Sequence, residues 1–318
     1  MYLNAALSLI RAAALSAALF LSGSLVPIVG AVLMLCAPAP LLIGSLGRPR
    51  AGWRIAALLA LTLAMVGLLA GPWQGLGFLL GFGLATVVIF VLLRRQSPFE
   101  VIVLAASAAT LAALSVALLI WAGSPVALAT EIRNTLALAT SHVNEFYQKL
   151  GLSLADSQGL NARVLDMTVS LIPGLGAVAA AAMVLLNLAL TWRWLGRSGL
   201  GYQLFGGLTK WRAPEWVIWL LLATGFGLFL PTAGLKLAAG NGFLFVSAIY
   251  FCQGLAIMAY YFRVLSMPMV ARGMIYLITL IQPVLAALVC LAGVFDMWID
   301  FRRLKPPSQE AGSLDDFL

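Results

Sequence analysis

Arg11, Asn187, Gln253, Gln282 and Asp296 are polar side chains set inside long apolar stretches of this sequence. An unpaired polar group in hydrocarbon is costly, so such residues generally face the interior of a helix bundle. Asn187 and Gln253 lie well inside their stretches, and a primary amide offers both donors and an acceptor. Each is read in two ways, as glue to a neighbouring helix or as the contact for a polar solute, which makes both candidate solute-binding residues. Gln282 precedes Pro283, where it is placed to bond a carbonyl that the proline leaves without a donor. Arg11, near the start of its stretch, is expected to extend its guanidinium to the interface. Asp296 and Asp300 are four residues apart and share a helix face, with Arg303 three further on. Two close carboxylates repel and an arginine relieves the repulsion. A C-terminal ion-pair cluster is therefore expected, with a proton or cation site as the alternative.

Little else suits chemistry. The single histidine, His142, has no cysteine or second histidine at ligand spacing, so no metal centre is expected. No strand-turn-helix signature of a nucleophilic serine is present. Gly199-Leu200-Gly201 and Gly206-Gly207 lack the lysine and hydroxyl residue of a phosphate-binding loop. Cys36, Cys252 and Cys290 fall in apolar segments without paired spacing and read as small apolar side chains. The expectation is a protein that is not an enzyme and uses no cofactor.

The elements that must position these residues follow from composition. Of 318 residues, 63% are hydrophobic and 9% charged, and the mean hydropathy is +1.03. A soluble domain carries about 25% charged residues. The exterior of this chain must therefore be lipid, which excludes a soluble enzyme, a disordered protein and a disulfide scaffold. The net charge of +8 sits in short clusters between apolar runs, such as Arg48, Arg50 and Arg54, or Arg94 and Arg95. That is the positive-inside pattern of a multi-pass membrane protein, with the lipid bilayer as partner and no nucleic acid.

A spanning helix needs about 20 apolar residues. By that measure, spans are expected at Ala5 to Leu21, Leu25 to Leu46, Trp53 to Ala70, Gly75 to Leu93, Pro98 to Trp121, Met167 to Trp192, Pro214 to Leu230, Gly242 to Phe262 and Gly273 to Phe295. The first two form a hairpin at Ser22-Gly23-Ser24, and Pro27, Pro38 and Pro40 break the second. Trp53, Trp73 and Trp121 fall at proposed ends, where indole rings favour the headgroup level. Nine spans leave Arg302, Arg303 and Lys305 on the side opposite the other basic clusters. A last segment that turns back at Gln282-Pro283 without crossing leaves eight and removes the conflict.

Between Gly123 and Asp166 the charges are too dense for a span. Leu128, Ile132, Leu136, Ala139, Val143, Phe146 and Leu150 there recur at intervals of three and four, one apolar stripe along an amphipathic helix outside the membrane. The fold expected is all-α, a transmembrane bundle of eight or nine spans with this helical insert. Its parts are residues 1–122, the charged insert 123–166, residues 167–305 and a disordered tail 306–318.

Ala13 with Ala17 and Ala14 with Ala18 have the small-xxx-small spacing that admits a close second helix, either internal or from a separate membrane subunit. The chain resembles the YybS-like family of uncharacterised bacterial membrane proteins through several segments. These are Ala213-Pro214-Glu215-Trp216, Asn241-Gly242, Tyr250-Phe251-Cys252-Gln253-Gly254-Leu255-Ala256, and the run from Gly293 to Arg302 that contains Phe295-Asp296-Met297-Trp298. It is more distantly similar to the substrate-binding membrane subunits of energy-coupling-factor transporters, through the alanine-rich first helix, Leu25-Val26-Pro27-Ile28-Val29-Gly30 and Gly44-Ser45-Leu46-Gly47. That similarity implies docking of a partner on Ala13, Ala14, Ala17 and Ala18 and binding of a small solute. The combined expectation is a multi-pass protein of the bacterial inner membrane, a transporter-type subunit working with a separate energising partner. The alternative is a membrane scaffold that recruits proteins through 123–166 and the basic loop 193–212.

Overall fold

The computed structural model describes residues 2–46, 51–149, 158–197 and 211–302. Every regular element among them is helical, and the chain divides into two compact units, Met1–Leu204 and Phe205–Leu318. The charged segment 123–166 thus belongs to the same unit as the helices on either side of it. Arg303 and the tail 306–318 lie outside the described residues.

In unit 1, α1 (Tyr2–Leu25) is followed by two short helices, α2 (Pro27–Met34) and α3 (Pro38–Ser45), each opened by a proline at its first turn. Proline is tolerated there because its missing donor would be unpaired anyway, and it ends whatever precedes it. The turn lies at Val26 rather than at Ser22 to Ser24, because Ser22 Oγ donates to Leu19 O (2.6 Å) inside α1 and the helix runs on through it. α2 and α3 run back antiparallel to α1: Gly30 abuts the Ser22 carbonyl, Ala37 lies beside Ser16, and Gly44 lies against Ala12. Together they return the chain along α1, although neither is long enough to cross a membrane alone.

α4 (Ala51–Ala70) starts beside α1, where Arg54 Nη2 donates to Ser8 Oγ at 3.5 Å. After a turn at Gly71, with φ of +95°, the next pass is α5 (Pro72–Phe78), a π-turn at Leu79–Gly83 and α6 (Leu84–Arg94). Phe78, just before the π-turn, and Phe82, within it, meet the Phe20 ring of α1 edge-on, with centroids 5.3 and 5.5 Å away. α7 (Phe99–Ala122) then leads through Gly123 to α8 (Pro125–Lys149) and α9 (Gln158–Arg197). α8 packs on α7 and α9, with Leu128, Ile132 and Leu136 half-buried while their described neighbours are exposed. The stripe positions from 139 onward lie outside the described side chains. An exposed ion pair, Arg133 to Asp166 at 2.9 Å, ties α8 to the start of α9.

In unit 2, α10 (Val217–Gly227) and α11 (Ala233–Val264) form an antiparallel pair, with Gly227 against Ala239 and Gly242 against Thr224. α12 (Met269–Ile281) and α13 (Pro283–Ile299) are bent by 103° at Gln282. Ser247 meets Cys290, Gln253 meets Asp296 and Tyr261 meets Phe301, so residue numbers rise together and α13 runs parallel to α11. The pair α12/α13 therefore leaves and returns to the same end of unit 2. Ala213, Val217, Val246 and Tyr250 form the buried core there.

Among the described residues, six helices are long and apolar enough to cross a membrane, or seven if the bent pair is one span. The expected eight or nine are not reached by length and composition. The expected spans that fall short are Leu25 to Leu46, divided between α2 and α3 at Pro38, Pro214 to Leu230, with only 11 residues of α-helix, and Gly273 to Phe295, bent at Gln282-Pro283.

Candidate functional site

Two polar constellations gather the candidate residues, one in each unit. In unit 1 the site forms where α2 ends and α3 begins. Non-helical backbone at membrane depth persists only where its groups are bonded within the protein. Here two side chains supply the bonds. Ser16 of α1 donates to Ala37 O at 2.7 Å, and Asn187 Nδ2 of α9 donates to Leu35 O at 2.7 Å. The other Nδ2 hydrogen goes to Met183 O, also at 2.7 Å, one turn back in α9. Both donors of the amide are thus in use. Its acceptor is not: Asn187 Oδ1 is fully buried and accepts no hydrogen bond among the described residues. Thr191, one turn further along the same face, is 2% exposed and its Oγ1 is likewise unbonded.

In unit 2, small residues set the geometry. Gly254 of α11 lies directly against the Val289 carbonyl of α13, and Gly293 lies against the Tyr250 carbonyl. Any Cβ at either position would collide with backbone, so glycine permits the contact that brings Gln253 within reach of Asp296. Gln253 Nε2 donates to Asp296 Oδ2 at 3.1 Å, and Gln253 Oε1 accepts from Ala213 N at 3.0 Å. Arg302 Nη2 donates to the same Asp296 Oδ2 at 2.6 Å, and its Nη1 to Trp211 O at 2.9 Å. Arg212 Nη2 reaches the Asp296 carbonyl at 2.9 Å and Asp300 Oδ1 at 2.6 Å, with Nε 3.4 Å from Asp296 Oδ2. Asp300 closes the helix in the left-handed region, φ +46°. Asp296, Gln253 and Arg302 are buried, so two guanidiniums and two carboxylates form a charge-balanced network largely shut from solvent.

Asp296 and Asp300 share Arg212 as a partner, while Arg303 lies outside the described residues. Arg302 and Arg212 are the arginines placed on them, and sequence reasoning did not select either for this site. For Arg302 the signal was present, six residues after Asp296 just past the helix end, whereas Arg212 arrives from another element. Asn187 belongs to unit 1 and Gln253 to unit 2, and each bonds within its own unit. On α1, Ala13 and Ala17 are buried within unit 1, Ala14 is half-buried and Ala18 exposed. The side chain of His142 lies outside the described residues.

A family model described as a predicted membrane protein, DUF2232, matches residues 14–297, which takes in both Asn187 and the Gln253–Asp296 pair. No curated protein and no solved structure matches the chain.

Proposed function

We propose, from the premise that the chain belongs to the DUF2232 family of predicted membrane proteins, that it is a transporter-type solute-binding subunit of a bacterial inner membrane. Its site lies in unit 1, at the break between α2 and α3, and it works with a separate energising partner. No catalysis is assigned to it. The observation that carries this reading is the fully buried Asn187, whose donors hold the broken segment while its acceptor has no partner. A buried polar atom left unbonded is costly, and a ligand able to bond it recovers that cost. Gln253, the other candidate, has both amide atoms engaged in a charge-balanced network, which supports a structural role for it. The exposed Ala18 and half-open Ala14 leave part of the small-residue face of α1 for the docking that the likeness to energy-coupling-factor subunits implies.

The test is purification in mild detergent with mass spectrometry of retained solutes, for the wild type and for Asn187→Ala. A solute held by the first and lost from the second supports the proposal; no retained solute in either, over repeated preparations, counts against it. The scaffold reading draws on a different observation, the α8/α9 pair with its exposed Arg133–Asp166 contact. It predicts protein partners lost on removal of α8 with solutes unaffected.

A further inference from the structure

Resting on the reading of Asn187 as the solute contact, we propose that the site takes an uncharged, hydroxyl-bearing solute of the polyol class, held between Asn187 Oδ1 and Thr191 Oγ1. Four other buried hydroxyls among the described residues satisfy themselves on their own helix. Thr62 donates to Leu58 O, Thr86 to Phe82 O, Ser107 to Val103 O and Thr279 to Ile275 O, each four residues back at 2.6 to 2.8 Å. Thr191 is equally helical and equally buried, yet its hydroxyl makes no such bond. It shares a face of α9 with Asn187, and side chains four apart on a helix stand about 5–6 Å from one another at Cβ. A hydroxyl oxygen placed between them would donate its one hydrogen to the amide oxygen and accept from the threonine hydroxyl. Thr110 of α7 is also unbonded but has no second such group on its own face.

The charges of the site exclude ions. The buried polar side chains described in unit 1 are hydroxyls, the Asn187 amide and one guanidinium, Arg54; no carboxylate is among them. A cation would be stripped of water with no countercharge, which is costly at low dielectric. An anion would meet the acceptor Oδ1, since both Asn187 donors are already bonded to Leu35 and Met183 carbonyls. A hydroxyl group is what remains: it donates its one hydrogen to Oδ1, carries no charge, and accepts from the Thr191 hydroxyl.

The experiment follows thermal unfolding of the full chain in mild detergent as glycerol, erythritol, sodium chloride or sodium acetate is titrated, for the wild type, Thr191→Val and Asn187→Leu. Polyols also stabilise proteins by exclusion from the surface, so binding is read only from a saturating component of the response. The wild type is expected to show a saturating rise in Tm with a polyol, and Thr191→Val a midpoint at least tenfold higher. That variant is close to isosteric and leaves the Leu35 contact intact, so it remains informative if Asn187→Leu fails to fold. A response without saturation to both polyols, as for a site holding water alone, overturns the proposal, as does an unchanged midpoint in Thr191→Val or saturation with either salt. Retention of a charged solute that Asn187→Ala loses would overturn the polyol class and leave the site standing. Retention unaffected by Asn187→Ala would remove the site itself.

Discussion

Asp296 lies at the centre of the buried polar network of unit 2. One of its oxygens takes Arg302 and Gln253, and its backbone carbonyl takes Arg212. Asp296→Ala leaves Arg302 buried without its carboxylate and is expected to destabilise the protein by about 3–5 kcal/mol, seen as a fall in unfolding temperature in detergent. The double variant Asp296→Leu with Arg302→Met, which removes both charges, is expected to regain most of that loss. If the double variant is no better than the single, the cost lies in lost hydrogen bonds rather than in a stranded charge. The sequence showed that an acidic pair needed an arginine, because helical spacing places Asp296 and Asp300 on one face. It did not show which arginine, because Arg212 lies 84 residues away and is delivered by packing.

At the scale of elements, two proline-broken segments do different things. α2 and α3 carry the chain back along α1, whereas α12 and α13 go in and return to the end they left. Both breaks were legible as prolines in apolar runs. Their directions were not, because direction is set by which helix lies alongside. α10 has only 11 residues in α-helix, but i to i+3 bonds at Val217, Ile218, Leu228 and Leu230 extend it at both ends. Such turns rise about 2.0 Å per residue, so residues 214–230 reach about 28 Å, close to a bilayer core. The α11–α13 contact depends on glycine. Gly293→Ala puts a methyl against the Tyr250 carbonyl and is expected to cost about 1–3 kcal/mol and loosen the Gln253–Asp296 bond. The control is Gly273→Ala in α12, which meets nothing within 4 Å and should be neutral or gain up to about 1 kcal/mol of helix propensity. Equal effects in the two variants would mean that the close approach contributes nothing.

For the molecule as a whole, α13 ends beside Arg212 and α11 ends at Arg263, so the basic residues at 212, 263 and 302 share one end of unit 2. By the positive-inside tendency that end is expected to be cytoplasmic. A green fluorescent protein fused after Leu318 is therefore expected to fluoresce, and an alkaline phosphatase there to be inactive; the reverse would mean that α12 and α13 cross as one span. Composition revealed the bilayer, because so few charges leave no other exterior, and apolar runs of about 20 residues revealed the helical class. The division at residue 204 falls within the glycine-containing basic loop 193–212, which the sequence marked as a loop but not as a boundary between units. The bond from Asn187 to Leu35 spans 152 positions and has a consequence in time. At roughly 5–20 residues per second of synthesis, the Leu35 carbonyl waits about 8–30 seconds after emergence before its partner exists. Ser16 is already made by then and can hold the neighbouring Ala37 carbonyl, so the nascent chain enters the bilayer with one hand of the clasp closed and the other open until the ninth helix arrives.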